Sequence, residues 1–321
     1  MEKSNEGHKI KEAIKPKSCK ELLREYALNA SAGYAEKLKF CVAEGLDVYN
    51  ITAPFLAGNE MIIAGRVEPR ESEISKVMFF KKKEGSWIIS HEGIYFDRFQ
   101  DPFITRVDGK LILGGVQVIN DPLDRERIIS FRTLFYRGES IDSLKLFAAG
   151  PMGMKDIRII QLKDGKIGVF TRPNRNEFGM GKIGFIKIDS LDALNEITIK
   201  NAKIVDTHFV PGEWGGCNEA YLLEDGLVGV LGHISYWENE SIMHYHSMAF
   251  VFDPETQKHT PVKIIATRSD FINGPAKRSE LKDVVFSGGL VKKDNEKYIL
   301  YAGVSDAEAH CIEIKNPFTG Y

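Results

Sequence analysis

The residues best suited to chemistry stand at corresponding points of a repeated pattern. Asp101, Asp156 and Glu219 each open a short apolar stretch, followed by an Asp-Gly turn and a second apolar run. Asn50 and Ser287 are the neutral members of the same set. The second runs end on Arg66 and Glu68, on Arg172, on His233 and on Asp306, with Lys155 just ahead of Asp156. Carboxylates gathered around a polar funnel suit glycosidic bond cleavage. One acid protonates the leaving oxygen while water, phosphate or a second carboxylate attacks the anomeric carbon. Arg66, Arg172, Lys155 and His233 near the same mouth could hold a phosphate or a sugar hydroxyl, the arginines as bidentate forks.

Such residues meet only if the repeat folds in a ring. The five heads, Asn50, Asp101, Asp156, Glu219 and Ser287, are spaced by 51, 55, 63 and 68 residues. Asp-Gly between two apolar runs predicts a hairpin, because both turn residues can take positive φ. Each of the first four units has room for two further strands, for example 76–82 and 86–91 after the first, or 181–188 and 196–205 after the third. The fifth has one, 310–314, and residues 37–43 can supply the strand it lacks. The expectation is an all-β, five-bladed β-propeller over residues 36–321, a single domain closed by an N-terminal strand. Residues 1–35 form an extension with one convincing helix, opened by the capping box Ser18-Cys19-Lys20-Glu21 and carrying Leu22, Leu23, Tyr26 and Ala27 on one face. It is expected to pack on its own propeller, with a homo-oligomer contact as the alternative.

Composition narrows the partners. Lys and Arg total 43 against 45 Asp and Glu, net −2, so nothing asks for a nucleic acid or an anionic membrane. The N-terminal residues lack the apolar core of a signal peptide. The four cysteines, 19, 41, 217 and 311, have no ligand-like spacing and read as reduced thiols, so the expected location is cytoplasmic and no metal or other cofactor is implied. His244 and His246 share a strand face as in some metal sites, but with no third ligand nearby they read as an exposed or partner-facing pair. Trp214 and Trp237 flank the strands of Glu219 and His233, where a ring could stack on a sugar or pack between blades.

Several strings also resemble a known family. Gln100-Asp-Pro-Phe-Ile followed by Asp108-Gly-Lys resembles the Glu-Asp-Pro-Arg-Ile and Asp-Gly-Lys segment of glycoside hydrolase family 130, five-bladed propellers that include mannoside phosphorylases and β-mannosidases. Lys155-Asp156, Thr171-Arg172-Pro173, Gly232-His233 and Tyr301-Ala-Gly-Val-Ser-Asp306 look like further segments of it. Closer still is the smaller family catalogued as domain of unknown function 1861, suggested by Gly65-Arg-Val-Glu-Pro-Arg, Met154-Lys-Asp-Ile-Arg and Val285-Phe-Ser-Gly-Gly-Leu. The resemblance spans roughly residues 45–318.

It implies a β-mannoside-like substrate and Asp101 as the single proton donor, acting through a sugar hydroxyl while inorganic phosphate attacks with inversion. Lys155, Arg172 and His233 match basic residues that could serve phosphate. Asp306 matches an Asp that holds sugar hydroxyls, and Asn50, Arg66, Glu68 and Trp214 complete the expected substrate site. Two departures bear on this. Gln100 replaces an acid, and Phe103 replaces an Arg whose loss weakens the phosphate reading. A hydrolase would need a base, for which Glu219 and Asp156 are the candidates. The expectation is a glycosidase or glycoside phosphorylase acting on a small glycoside or oligosaccharide. The rival is a catalytically silent propeller that binds a carbohydrate or a protein.

Overall fold

The computed structural model describes residues 10, 15–29, 33–173, 180–205 and 207–319. Strands dominate, arranged as five antiparallel units in chain order. The first places Leu46–Tyr49 and Phe55–Ala57 side by side on Glu60–Pro69, followed by Lys76–Lys83 and Ser86–Asp97. The second runs Phe99–Val107, Lys110–Asn120, Ile128–Gly138 and Lys145–Ala149. The third is shorter, with Arg158–Gln161, Ile167–Thr171, Gly184–Ile188 and Lys203–Ile204. Glu213–Leu222, Val228–Glu238, Ile242–Phe252 and Lys263–Ala266 make the fourth. Asp283–Lys292, Lys297–Val304 and Glu308–Lys315 make most of the fifth.

One Asp-Gly turn carries the anticipated geometry: Asp108 and Gly109 both take positive φ, 50° and 76°, which lets a two-residue turn follow the twist of its strands, while at Asp164-Gly165 and Asp225-Gly226 only the glycine does. The fifth unit is completed from the N-terminal side by Ala35–Lys37, which pairs antiparallel with His310–Ile312. The closing strand thus sits earlier than residues 37–43. Phe40–Cys41 instead runs parallel to Trp87–Ile88 in the first unit, where the Phe40 ring packs against Phe80 and Trp87. Segment 196–205, expected to be extended, begins with a helical turn, Glu196–Lys200. Asn195 caps it by accepting from the Thr198 amide at 3.0 Å, leaving only Lys203–Ile204 to pair.

Inner strands of successive units pack on one another: Glu60–Pro69 on Phe99–Val107, that on Arg158–Gln161, and that on Glu213–Leu222. Glu213–Leu222 packs in turn on Asp283–Lys292, and the fifth unit packs back on Leu46–Tyr49. The core lies between the units, where Phe79, Phe99 and Leu134 fill one junction and Phe170, Phe185 and Phe252 another. The helix Cys19–Asn29 has the expected capping box, with Ser18 Oγ and N both bonded to Glu21. Its buried Cys19 and Leu22 lie against the fourth unit. Among the described residues no helix is long and apolar enough to cross a membrane.

Completion of the fifth unit by a three-residue strand is open to test. Ala35 is buried in the cluster that holds Leu231, Ile265 and Ile312, so Ala35→Asp places an unpaired carboxylate there. Amides of residues 310–312 should then exchange at least about tenfold faster, with those of Lys110–Asn120 unchanged and the exposed Glu36→Gln control silent.

Candidate active site

The inner strands break at matching points, and the breaks aim side chains at a common centre. Asn50, Asp101 and Asp156 all have left-handed φ, at 42°, 49° and 57°. In the second, fourth and fifth units the pairing register shifts, between Gln100 and Phe103, Cys217 and Glu219, and Ser287 and Gly289. Such a bulge turns one residue out of the ladder and re-aims it. The bulged residue in the fourth unit is therefore Asn218, and in the fifth Gly288. Glu219 and Ser287, the heads read from the repeat, lie one residue off, and a one-residue offset sends a strand side chain to the other face.

Asp101 is held from the first unit. Asn50 Nδ2 donates to its Oδ1 at 2.8 Å, and Arg66 Nη1 lies 3.5 Å from the same oxygen. Arg66 is itself clamped by Glu68, with Nε and Nη2 at 3.0 and 2.9 Å from Oε2, and its guanidinium lies 4.9 Å over the Tyr49 ring. Glu68 also receives the Tyr49 hydroxyl and the buried Lys277 ammonium. Asp306, again with left-handed φ, faces this group. Burial raises its carboxyl above the usual value, and the Asp101 charge adds to the rise while Arg66 opposes it.

Asp156 anchors the other half, paired with Arg172 where both are almost free of solvent. Burial alone would raise the Asp156 carboxyl. The Arg172 charge, with Lys155 and His233 beside it, holds it well below the carboxylate range. Arg172 Nη2 also donates to the Met180 carbonyl at 3.0 Å, but among the described residues its Nε has no partner, and neither does Asp156 Oδ1. His233 Nδ1 lies 2.7 Å from Asn218 Oδ1, its ring stacks on Tyr245 at 4.2 Å, and its Nε2 finds no partner among the described residues. Burial, then the Arg172 charge, push its pKa well below the usual value, so the ring is neutral. With Nδ1–H given to Asn218, Nε2 is a hydrogen-bond acceptor. Lys155 is partly exposed and forms no ion pair among the described residues, its ammonium 5.9 Å from the Phe131 ring centre.

The contacts form two groups, Asn50, Arg66, Glu68 and Asp101 in one and Asp156, Arg172 and His233 in the other. Their charges reach across: Asp101 acts on Arg172, and Tyr245 feels Arg172, Asp156, Asp101 and Asp306, with Lys155 beside Asp156. Two expected members stand apart. Trp214 is buried at 3 % exposure against Trp237, with ring centres 6.5 Å apart. Glu219 receives the Tyr221 hydroxyl, which in turn accepts the Leu290 amide at 2.5 Å. None of these groups touches Asp101 or Asp156. Burial drives the Glu219 carboxyl up to about 7 against the pull of Tyr221, Leu290 and Arg158.

Sequence reasoning missed Asn218, Tyr245, Lys277 and Arg158. Asn218 was visible as the neighbour of Glu219, offset by the bulge. Arg158 donates to the Asn218 carbonyl at 2.6 Å and lies 4.6 Å over the Phe103 ring, so a guanidinium covers the residue that stands in place of the family's Arg. Tyr245 and Lys277 carry no local signal.

The family model described as "Protein of unknown function (DUF1861)" matches residues 26–320. The chain belongs to that family. A mannose phosphorylase from Leishmania mexicana, solved with a phosphate ion, is 35% identical over 93% of each chain, with a TM-score of 0.86. A GDP-Man-dependent mannosyltransferase from the same organism is 34% identical over 95% of this chain and 97% of its own, at 0.85. The β-1,2-mannobiose phosphorylase of Listeria innocua, at 15% identity over 86% and 92%, shares the fold with a TM-score of 0.60. No curated protein matches. The chain is thus all-β with few helices and shares its fold with solved mannoside phosphorylases and hydrolases of glycoside hydrolase family 130.

Two predictions follow from the geometry of this DUF1861 member. The raised Glu219 carboxyl favours the protonated form in the fold, so its contribution to stability is complete below about pH 4.5 and lost as pH rises through about 7. Glu219→Gln should remove that loss, raising Tm at pH 8 more than at pH 4 in parallel melts. Gly303 permits the close approach of Asn50, since a Cβ there would lie 2.0 Å from Asn50 Oδ1. Gly303→Ala should push Asn50 off Asp101 and cost at least about tenfold in kcat/KM on any substrate, with a loss of about 1–3 kcal/mol in stability.

Proposed function

We propose that the chain is a glycoside phosphorylase acting on a β-mannoside, built as a cytoplasmic, single-domain five-bladed β-propeller over residues 36–321. The cyclic packing of the inner strands and the strand borrowed from residues 35–37 support the propeller. One observation carries the chemistry: a buried centre in which Arg172 Nε, Asp156 Oδ1 and His233 Nε2 have no partner among the described residues. Buried polar atoms are almost always paired, so these three mark where a polyhydroxylated or anionic ligand completes the site. The similarity to the phosphate-bound mannose phosphorylase supports phosphate as the anion.

In this reading phosphate sits between Lys155 and Arg172, while Asn50, Glu68, Asp306 and the Nε2 acceptor of His233 take sugar hydroxyls. A neutral imidazole with an acceptor nitrogen suits a hydroxyl better than an anionic oxygen, which moves His233 from the phosphate to the sugar. A phosphate oxygen attacks the anomeric carbon and the glycosidic bond breaks. Asp101 gives its proton through a sugar hydroxyl to the departing oxygen, yielding mannose 1-phosphate and the free acceptor. Arg66 beside Asp101 steadies the carboxylate that results. Hydrolysis fits less well. Asp156 is locked against Arg172 and too acidic to serve as a base, and Glu219 is engaged with Tyr221 outside the cluster. A second reading, mannosyl transfer from a nucleotide sugar, draws on the mannosyltransferase similarity and would use the same cationic pocket for the diphosphate.

Proton NMR of β-mannosides incubated with and without inorganic phosphate decides among these. Mannose 1-phosphate should appear only with phosphate, and Asp101→Asn should lose at least about 10²-fold of the rate. Lys155→Ala should raise KM for phosphate about tenfold and leave KM for the sugar within about twofold. Free mannose formed without phosphate would overturn phosphorolysis, and turnover of GDP-mannose alone would favour the second reading.

A further inference from the structure

Behind the strand that carries Tyr245 lies a cluster unconnected with the central pocket. Residues 244 and 246 are two apart and share one face of Ile242–Phe252, while Tyr245 turns to the other face and stacks on His233. The fifth unit meets this strand through a short parallel pairing that sets His244 opposite Asp283. The third ligand missing from the local sequence therefore arrives from 37 residues beyond His246, across the junction of two units.

His244, His246 and Asp283 each offer a ligand atom, all within 4.8 Å of one another. His244 Nδ1 is 2.5 Å from Asp283 Oδ2, and His246 Nε2 is 4.0 Å from the same oxygen. His246 is 2 % exposed, yet among the described residues neither ring nitrogen has a hydrogen-bond partner, an arrangement that leaves a buried polar side chain aimed into the cluster. His244 supplies an independent sign. Its Nε2 lies 3.3 Å from Glu238 Oε2, and its ring is stacked on Tyr236 at 4.5 Å, so a carboxylate and an aromatic face orient the imidazole with Nδ1 toward Asp283. A metal-bound histidine characteristically gives its other N–H to a carboxylate in this way.

We propose that His244, His246 and Asp283 form a binding site for one divalent transition cation of the zinc class. It would clamp the fourth unit to the fifth, with a water in the remaining position. Two imidazole nitrogens and one carboxylate oxygen suit zinc and its borderline neighbours. Calcium and magnesium want oxygen donors, and Cu(I) wants sulfur. Tetrahedral zinc with bonds of about 2.0–2.2 Å sets its ligand atoms about 3.4 Å apart. The 4.0 Å separation is near that value. The 2.5 Å one opens to it by rotation of the Asp283 carboxylate, whose side chain is 31% exposed and has room to turn.

The test uses the full chain without a histidine tag, stripped with EDTA and titrated with Zn²⁺ by calorimetry, with Co²⁺ as the spectroscopic probe. The expected result is one equivalent of Zn²⁺ at micromolar affinity or tighter, a rise in Tm, and visible Co²⁺ bands of tetrahedral form. His246→Ala should abolish all three. Should that variant fold poorly, Glu238→Gln decides. It alters an exposed carboxylate that only orients His244, and should weaken Zn²⁺ binding about 10–100-fold with the metal-free melt unchanged. Failure of the stripped wild type to bind Zn²⁺, or equal binding by wild type and both variants, would overturn the site.

Discussion

The buried pairing of Arg172 with Asp156 is the interaction to which the rest of the site answers. Both groups are nearly stripped of water, and removing either charge from solvent costs several kcal/mol. That cost is tolerable only if partners arrive from every side. Asp156 comes from the third unit's entrance, Arg172 from its second strand, and His233, Asn218 and Tyr245 from the fourth unit. The first two units repeat the solution with Arg66, Glu68, Asn50 and Asp101, and Lys277 from the fifth unit's approach closes it. Because no one unit holds enough opposite charge, the site can form only when units distant in sequence pack together.

The backbone is shaped to that end. Left-handed φ at a non-glycine residue is uncommon, and Asn and Asp tolerate it best because their short polar side chains bond locally. Asn50, Asp101, Asp156 and Asp306 all adopt it; Asn50 and Asp101 meet beside Arg66, whose charge also acts on Asp306, and Asp156 meets Arg172. The acidic heads of the repeat are thus conformational devices as well as charges. The strain they store belongs at a site that must hold side chains in place before a ligand arrives.

Electrostatics then separates groups that look alike in sequence. Three carboxylates of the repeat region end in three environments. Asp156 is held ionised by Arg172, Asp306 is raised by burial beside Asp101, and Glu219 is raised to about 7 with Tyr221 as its partner. Neutral His233 adds an acceptor among cations. The opposite displacements of Asp156 and Asp306, and the separate burial of Glu219 away from them, come from position, not residue type.

Much was legible in the chain itself. Paired apolar runs around a tight turn, Asp-Gly in three of five recurrences, determined the all-β repeat. Their common heads pointed to Asn50, Asp101 and Asp156, and the second strands to Arg66, Arg172 and His233, because strand periodicity and turn chemistry are local properties. What local pattern does not contain is a one-residue bulge, since it depends on which partner strand is met and where its hydrogen bonds fall. For that reason Asn218 and not Glu219 faces His233, and Trp214 is packed away against Trp237. Nor does local pattern contain a pairing between units. Ala35–Lys37 found its place against His310–Ile312, and Asp283 its place beside His244, only because ring closure brings distant edges together. The sequence determined the strands and most of the charges, and tertiary packing decided which of those charges meet, because desolvation and register are settled only when the strands are in contact.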